Sequence, residues 1–132
     1  MIIGIGIDMV QVQRMNKWME TPGLTERYFH PEELQYSMIN GNNAVFSLAA
    51  RFAAKEAFGK ALGTGLEGIE LKDIMIKNKE NGQPELHIFG TALRALEKKC
   101  TDPSVKIHVS LSHEKEHAMA MVILEKDSRT AN

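Results

Sequence analysis

The amino-acid sequence predicts an α+β domain in which a mostly antiparallel sheet packs against a long helix. Two observations predict this class. Stretches with the periodicity of strands occur in clusters, at 2–10, 73–89 and 105–125. Stretches with helical periodicity separate these clusters, and the longest of them covers residues 45–62. Strands that are grouped in this way, with helices between the groups, are typical of α+β folds with antiparallel pairing.

The first element is a strand with one bare face. Ile3, Ile5 and Ile7 alternate with Gly4 and Gly6, so one side of the strand carries almost no side chain. Another part of the molecule must therefore approach that side closely. From residue 10 to residue 20 the spacing of apolar residues becomes helical, and the Thr-Pro-Gly sequence at 21–23 ends the helix.

The remaining elements follow from periodicity and from turn residues. Pro31 suits the first position of a second helix that runs to Asn40. Acidic residues in the first turn of this helix interact favourably with the positive end of its dipole. The final strand is apolar at every position from Ala118 to Leu124, so we expect it to be central and buried on both faces. The other predicted elements are a helix over 45–62, strands over 73–79 and 84–89 joined by a turn at 80–82, a helix over 91–100, and strands over 105–112 and 118–125.

The composition is that of one globular domain without a nucleic-acid or membrane partner. The 132 residues are 43% hydrophobic and 25% charged, and we assign 1–126 to one domain and 127–132 to a polar C-terminal tail. A net charge of −1 gives no general attraction to nucleic acid or to anionic lipid. No apolar run approaches a membrane span, and the first residues lack the pattern of a signal peptide. The single cysteine, Cys100, excludes an internal disulfide and suits a reducing, cytoplasmic location.

The first candidate for chemistry is Asp8, a lone carboxylate at the end of an apolar strand. Aspartate is disfavoured in strand interiors, and a charge that leaves a buried strand needs a partner. Asp8 is either the N-cap of the helix that follows or a metal ligand or acid–base group. The nearby Gly4-Ile5-Gly6 is not a dinucleotide-binding fingerprint, because a third glycine is required where Met9 stands.

The second candidate is the long helix over 45–62. Arg51 and Lys55 share one of its faces, and Glu56 and Lys60 share another. The pair Glu56–Lys60 is either an ordinary i,i+4 ion pair or a metal-binding carboxylate accompanied by cations for a polyanion. Many alanines leave the helix with little side-chain bulk, so it can lie very close to a neighbour. Glycines at 63 and 65 favour a helix stop over a phosphate loop.

The third candidate is His113, which follows Val109-Ser110-Leu111-Ser112 where a strand turns. It either faces a cleft or is a solvated turn residue. No Gly-x-Ser-x-Gly segment is present, so a serine hydrolase of that type is excluded. Two carboxylates from distant elements, together with cations and few nitrogen ligands, favour a magnesium-dependent enzyme that acts on a phosphorylated substrate.

These three places, in their order and spacing, resemble the holo-acyl-carrier-protein synthases, the small bacterial 4′-phosphopantetheinyl transferases. The resemblance covers nearly the whole chain, and the combination is far more specific than any one piece. The matching segments are 4–8 together with Arg14, 51–65, Asn81-Gly82-Gln83-Pro84, and 109–114.

The resemblance implies the fold of that family and its reaction. The reaction moves the 4′-phosphopantetheine arm of coenzyme A to a serine of apo-acyl carrier protein and releases adenosine 3′,5′-bisphosphate, for fatty acid biosynthesis. Asp8 and Glu56 match the family's Mg²⁺ ligands. Lys60 matches a contact to the pyrophosphate and Arg51 a contact to the 3′-phosphate, and we assign Lys55 to the same anion-binding surface.

The resemblance also assigns partner contacts. Arg14 matches a contact to the acidic carrier protein, and His113 matches a residue beside the phosphates. The general base is Glu56, a metal-bound water that Glu56 orients, or His113; the sequence does not choose among them. Five further residues match segments near the adenine of coenzyme A: Gly63, Thr64, Gly65, Gly82 and Pro84.

The family's bacterial members are trimers with active sites between protomers, so the resemblance implies a homotrimer. We interpret the bare Gly4/Gly6 face and the small-residue helix as surfaces that allow protomers to approach closely. The sequence departs from the family at Gln11 and Gln13, where members often carry Glu, and Gln11 lowers the negative charge available to the metal site.

Two other functions share part of this residue set. A metal-dependent phosphohydrolase would use Asp8, Glu56 and magnesium but would give the phosphate to water. A non-catalytic module that binds coenzyme A or a nucleotide would keep the cations but would not need Asp8. Met15, Trp18 and Met19 either pack into the core of this protein or supply an apolar contact with a partner.

Overall fold

A computed structural model describes residues 1–127 of the chain. The predicted tail at 127–132 therefore lies outside the described residues except for Asp127. Within residues 1–127, no helix has both the length and the apolar character needed to cross a bilayer. The elements in chain order are β1 (Ile2–Gln11), α1 (Val12–Glu20), α2 (Leu24–Tyr28), α3 (Pro31–Ile39), α4 (Ala44–Leu62), β2 (Ile74–Asn78), β3 (Pro84–Ile88), α5 (Gly90–Lys99), β4 (Lys106–His113) and β5 (His117–Glu125).

Both sheets are antiparallel, as predicted. The larger sheet has the order β1-β5-β4, and the smaller sheet pairs β2 with β3. Ala120 of β5 lies opposite Asp8 on one side and opposite Leu111 on the other. The final strand is therefore the central strand of the larger sheet, as its apolar sequence predicted.

Helix α4 lies against the inner face of the larger sheet at backbone-contact distance. A Cβ atom added to Gly4 would lie 2.0 Å from the carbonyl oxygen of Ala61, and one added to Gly6 would lie 1.9 Å from that of Ala57. The bare face of β1 thus receives the small-residue helix of the same chain. Our interpretation that these two surfaces bring protomers together is wrong, because they are already buried against each other.

The outer face of the same sheet is apolar and exposed. Ile5 and Met9 of β1 are each 59% exposed, and Met119 and Met121 of β5 are 39% and 40% exposed. The prediction that β5 is buried on both faces is therefore wrong for the single chain. Only its inner residues lie in the core, because α4 covers one side of the sheet.

The boundaries differ from the prediction mainly at the start. Strand β1 continues to Gln11, which pairs with His117, so α1 begins at Val12 instead of residue 10. The short helix α2 was not predicted, since five residues carry too little periodicity. Helix α3 begins at Pro31 as expected, and its N-terminus is closed by reciprocal hydrogen bonds between His30 and the turn that contains Glu33.

Candidate active site

The centre of the candidate site is the contact between β1 and α4 at Asp8. Asp8 lies within β1 and accepts a hydrogen bond from the Nζ atom of Lys60 on α4 at 3.0 Å. The interpretation of Asp8 as a helix N-cap is wrong, because Gln11 holds that position. The pairing of Lys60 with Asp8 also replaces the simple Glu56–Lys60 ion pair as the main contact of this lysine.

Glu56 lies next to Asp8 in an unfavourable electrostatic position. Partial burial, and then the negative charge of Asp8, raise the pKa of Glu56, while Arg14 and Lys60 oppose this shift. The negative charges of Asp8 and Glu56 together form a place where a cation is favourable. The sequence predicted that Asp8 and Glu56 meet. The charge of Asp8 acts on Glu56, which lies one helical turn before Lys60, the hydrogen-bond partner of Asp8.

The residues present fit a magnesium ion that is shared with a phosphorylated ligand. Mg²⁺ is commonly held by one or two carboxylates, while water and phosphate oxygens complete its shell. Within residues 1–127, no group of three or more His, Cys, Asp or Glu side chains is arranged to hold a metal ion. If a magnesium ion binds here, Asp8 and Glu56 would supply part of its shell, and other oxygen ligands would have to complete it.

Arg14 lies beside this centre on the exposed side of α1. Its guanidinium carbon is 5.3 Å from the ring centroid of Trp18 and 5.1 Å from that of Phe52. Trp18 also packs against Tyr28, at 5.1 Å between ring centroids, and Met15 is fully buried. Met15 therefore belongs to the core of this chain and Trp18 packs against that core, while Arg14 is an exposed charge that lies over Trp18 and Phe52.

Arg51 lies in a different environment, at the cavity between α3 and β2. The cavity has a volume of about 410 Å³, and its lining includes Tyr36, Arg51 and Asn78. Arg51 is only 3% exposed, and burial lowers its pKa, although the nearby charge of Glu33 opposes this shift. Its Nε atom is buried without a hydrogen-bond partner among the described residues, so the guanidinium keeps donor capacity for a ligand.

Lys55 does not belong to an anion-binding surface, so that prediction is wrong. Its Nζ atom is completely buried, lies 2.7 Å from Glu33 Oε1, and also donates to the carbonyl oxygens of Leu71 and Ile74. Burial lowers the pKa of Lys55, and the charge of Glu33 opposes the shift. The side chain is committed to joining α3, α4 and β2, and no donor of it reaches solvent.

The other predicted contacts lie at three further places. Gly63 ends α4 with a positive φ of 85°, which confirms the predicted helix stop, and Thr64 follows it on the surface. Gly82 has a φ of 89° in the turn before Pro84, which begins β3. His113 ends β4 with its imidazole exposed and stacked on Phe46 at 5.3 Å between ring centroids.

Helix α4 keeps two of these groups apart within one chain. Nine residues separate Arg51 from Lys60, which places them about 180° apart around the helix and roughly 13 Å apart along it. Arg51 accordingly faces α3 and β2, whereas Lys60 faces Asp8 on β1. Asp8, Glu56, Lys60 and Arg14 are thus brought together by the fold, and Arg51 is not joined to them.

Sequence reasoning missed the residues that hold these side chains in place. Arg51 donates to Ser47 Oγ and to Asn78 Oδ1, and Phe46 supports His113. Asn78 is 27 residues from Arg51 in the chain, so only the fold reveals the contact. Ser47 is one helical turn before Arg51, and that i,i+4 spacing is the single signal that the sequence contained.

Comparison with known proteins places the chain in a family. The model of the 4′-phosphopantetheinyl transferase superfamily matches residues 4–122. A holo-[acyl-carrier-protein] synthase of Treponema denticola is 56% identical over 125 residues, which cover 95% of this chain and 99% of that protein.

Solved structures agree with this placement. A holo-(acyl-carrier-protein) synthase from Bacillus anthracis, crystallised in complex with CoA (3′,5′-ADP), has a TM-score of 0.79 and 33% identity, covering 96% of this chain and 99% of that one. The synthase from Neisseria meningitidis has a TM-score of 0.81 and 36% identity over 96% of this chain and all of that one. The family resemblance and the fold predicted from the sequence are confirmed, and the chain belongs to the 4′-phosphopantetheinyl transferase superfamily.

Proposed function

We propose that this chain transfers the 4′-phosphopantetheine arm of coenzyme A to a serine of apo-acyl carrier protein, as a step that serves fatty acid biosynthesis. The observation that carries the proposal is the cluster of Asp8, Glu56 and Lys60, in which two carboxylates and an ammonium group from distant parts of the chain meet. Membership of the superfamily and the 56% identity to a holo-[acyl-carrier-protein] synthase support it.

In this proposal the chain holds the pyrophosphate of coenzyme A between its own charges. Asp8 and Glu56 would bind Mg²⁺, and the ion, when bound, offsets the negative charge that develops on the leaving phosphate. Lys60 donates from Nζ to a pyrophosphate oxygen. Its side chain is 55% exposed while Asp8 holds the ammonium group, so the lysine is both positioned and accessible.

The nucleophile belongs to the carrier protein, so the chain needs only a base. The serine Oγ attacks the phosphorus that bears the pantetheine arm. The new Oγ–P bond forms as the bond from that phosphorus to the bridging oxygen breaks, and adenosine 3′,5′-bisphosphate leaves. The serine proton passes to the base, for which Glu56, directly or through a water that it orients, and His113 are the candidates.

The nucleotide end of coenzyme A would occupy the cavity beside Arg51. The buried guanidinium supplies a charge for the 3′-phosphate. The turn that contains Gly82, together with Pro84 at the start of β3, borders the same region through Asn78. Gly63, Thr64 and Gly65 are proposed to lie near the adenine as well. The cavity includes apolar groups of Tyr36, Ile39 and Met75, which suit a base or ribose face.

We further propose that the active form is a homotrimer with sites between protomers. The exposed apolar outer face of β1 and β5 supports this, because such a face on a small domain favours burial against another copy. The placement of Arg51 and Lys60 on opposite sides of α4 also supports it, since one ligand would reach both only if two protomers contribute. Met121→Glu on the outer face should convert the trimer to smaller species in light scattering, and an unchanged mass would contradict the assignment.

Two further assignments complete the proposal. Arg14, on the exposed side of α1, would contact the acidic carrier protein and orient it toward the site. The protein is proposed to act in the cytoplasm, because the single cysteine, Cys100, is a free thiol that suits a reducing compartment.

Mass spectrometry of apo-carrier protein incubated with coenzyme A, Mg²⁺ and the chain tests the function. The expected result is addition of the phosphopantetheine mass, which should be abolished by Asp8→Ala and by Glu56→Ala but retained by Glu26→Ala, which removes an exposed carboxylate on α2. Circular dichroism establishes that each variant is folded. Unchanged transfer by both site variants would end the proposal.

Two other outcomes separate the competing functions. Release of adenosine 3′,5′-bisphosphate from coenzyme A without a carrier would favour a phosphohydrolase. Binding of coenzyme A without any transfer or hydrolysis, and without dependence on Asp8, would favour a binding module.

A further inference from the structure

The buried guanidinium of Arg51 is held by contacts from three different elements. Its Nη1 atom donates to Ser47 Oγ at 2.9 Å, and Ser47 Oγ is 2.7 Å from Ser37 Oγ on α3. Its Nη2 atom donates to Asn78 Oδ1 at the end of β2. The ring of Tyr36 covers one face of the guanidinium at 4.8 Å from Cζ to centroid. A group with this many contacts is fixed in orientation before any ligand arrives.

Asn78 is the member of this group that also contacts the β2–β3 turn. Its Oδ1 atom accepts from Arg51, while its Nδ2 atom donates to the carbonyl oxygen of Gly82 at 3.0 Å in the β2–β3 turn. One carboxamide therefore joins the cation on α4 to the β2–β3 turn. The distance between the guanidinium and the turn is set by this side chain.

The chemistry of the amide also matters, because it holds Arg51 without neutralising it. A carboxylate at position 78 would bind the guanidinium more strongly and would cancel the charge that an anion needs. Glu33 on α3, whose charge acts on Arg51, is already paired with Lys55 at 2.7 Å. Arg51 thus keeps its charge, and its unpartnered buried Nε atom keeps a donor.

We propose that Asn78 is a positioning residue that aims Arg51 at the 3′-phosphate of coenzyme A and so sets the preference for coenzyme A over its 3′-dephospho form. The inference rests on the proposed binding of coenzyme A in this cavity. Asn78 acts through Arg51, so its contribution depends on the 3′-phosphate and on the presence of the arginine.

The first test compares coenzyme A with 3′-dephospho-coenzyme A as substrates of Asn78→Ala. Loss of a charge-assisted hydrogen bond should raise KM for coenzyme A about tenfold and change kcat less than about twofold. KM and kcat for dephospho-coenzyme A should stay as in the wild-type chain. Asn78→Asp should lower the preference further, because it neutralises Arg51. In an Arg51→Ala background, Asn78→Ala should change the preference no further.

Asn81→Ala is the matched control for loosening of the turn. The Oδ1 atom of Asn81 accepts from the backbone N–H of Gln83, so this variant removes a hydrogen bond from the same turn and leaves the one to Arg51 in place. It should affect the two substrates equally. The proposal is overturned if Asn78→Ala affects both substrates equally, if Asn81→Ala lowers the preference as much, or if the Arg51→Ala background leaves the effect of Asn78→Ala undiminished.

Calorimetry with adenosine 3′,5′-bisphosphate and with AMP separates this inference from the proposed function. The wild-type chain should bind the bisphosphate more tightly than AMP. In Asn78→Ala the ratio of the two dissociation constants should fall about tenfold, whether or not the chain transfers the arm. If the wild-type chain shows no transferase activity but Asn78→Ala still loses the selectivity for the bisphosphate, the proposed function is overturned and the positioning role is supported. If the wild-type chain transfers the arm but has the same selectivity as Asn78→Ala, the proposed function is supported and the positioning role of Asn78 is overturned.

Discussion

Replacing Gly6 by alanine should separate strand β1 from helix α4. The added Cβ atom would lie 1.9 Å from the carbonyl oxygen of Ala57 and 2.7 Å from the amide nitrogen of Ala61. Both atoms belong to the backbone of a buried helix, so no side chain can rotate away. Since real Cβ contacts essentially never fall below 3.0 Å, the strand must retreat by about 1.1 Å.

The retreat has consequences for stability and for the site. Overpacking of a core costs about 1–3 kcal/mol, and the backbone contact places this variant at the upper end, equivalent to a fall in Tm of roughly 10 °C for a domain of this size. Asp8 lies two residues along the same strand, about 7 Å away, and would move with it from Lys60 and Glu56. A displacement near 1 Å in a catalytic arrangement lowers the rate on the order of 100-fold.

Gly4→Ala is the matched control. Its Cβ atom meets the carbonyl oxygen of Ala61 at 2.0 Å, so the clash is nearly equal, but Gly4 is about 13 Å from Asp8 along the strand. Thermal unfolding should show similar losses for the two variants, and the transferase assay should show the larger loss for Gly6→Ala. Equal losses of activity in the two variants, or full stability of Gly6→Ala, would refute the reasoning.

Three other predictions concern charges. Because burial and Asp8 raise the pKa of Glu56, protons compete with Mg²⁺ there, so the Mg²⁺ concentration for half-maximal transfer should fall as the pH rises above the ordinary glutamate value of 4.5; no pH dependence would contradict this. Lys55→Met should lower the free energy of unfolding in urea by about 3–5 kcal/mol, because it leaves Glu33 buried without a counter-ion, and a loss below about 1 kcal/mol would count against that pair. Arg14→Ala should raise KM for the carrier protein severalfold and change KM for coenzyme A less than about twofold; a loss confined to coenzyme A would exclude the assigned contact.

The sequence was informative about the fold wherever a local pattern decides the structure. The alternation of glycine and isoleucine in β1 predicted a closely approached strand, and Pro31 and Gly63 marked helix ends that the structure confirms. Residue 10 was less predictable, because the end of β1 depends on pairing with His117 more than 100 residues away. The exposure of Met121 also depends on tertiary structure, since the strand pattern does not say which face a helix covers.

The site was predictable in its components and less so in its contacts. The sequence led to Asp8 and Glu56 as a pair, and the structure couples them electrostatically. Lys55 was misassigned because helical spacing places it on the face of Arg51 but does not reveal that Glu33 lies over it. An isolated lysine in a sequence resembles any other cation, and only burial distinguishes a core ion pair from a ligand contact.

The opposite orientation of Arg51 and Lys60 on α4 has a consequence for the proposed assembly. Each helix would serve two reaction centres, giving its arginine to one and its lysine to the next. Chains weakened by Arg51→Ala and chains weakened by Lys60→Ala would then complement each other when unfolded together and reassembled. Some centres of the mixed oligomer would receive both intact groups, and the mixture would recover more activity than either parent possesses.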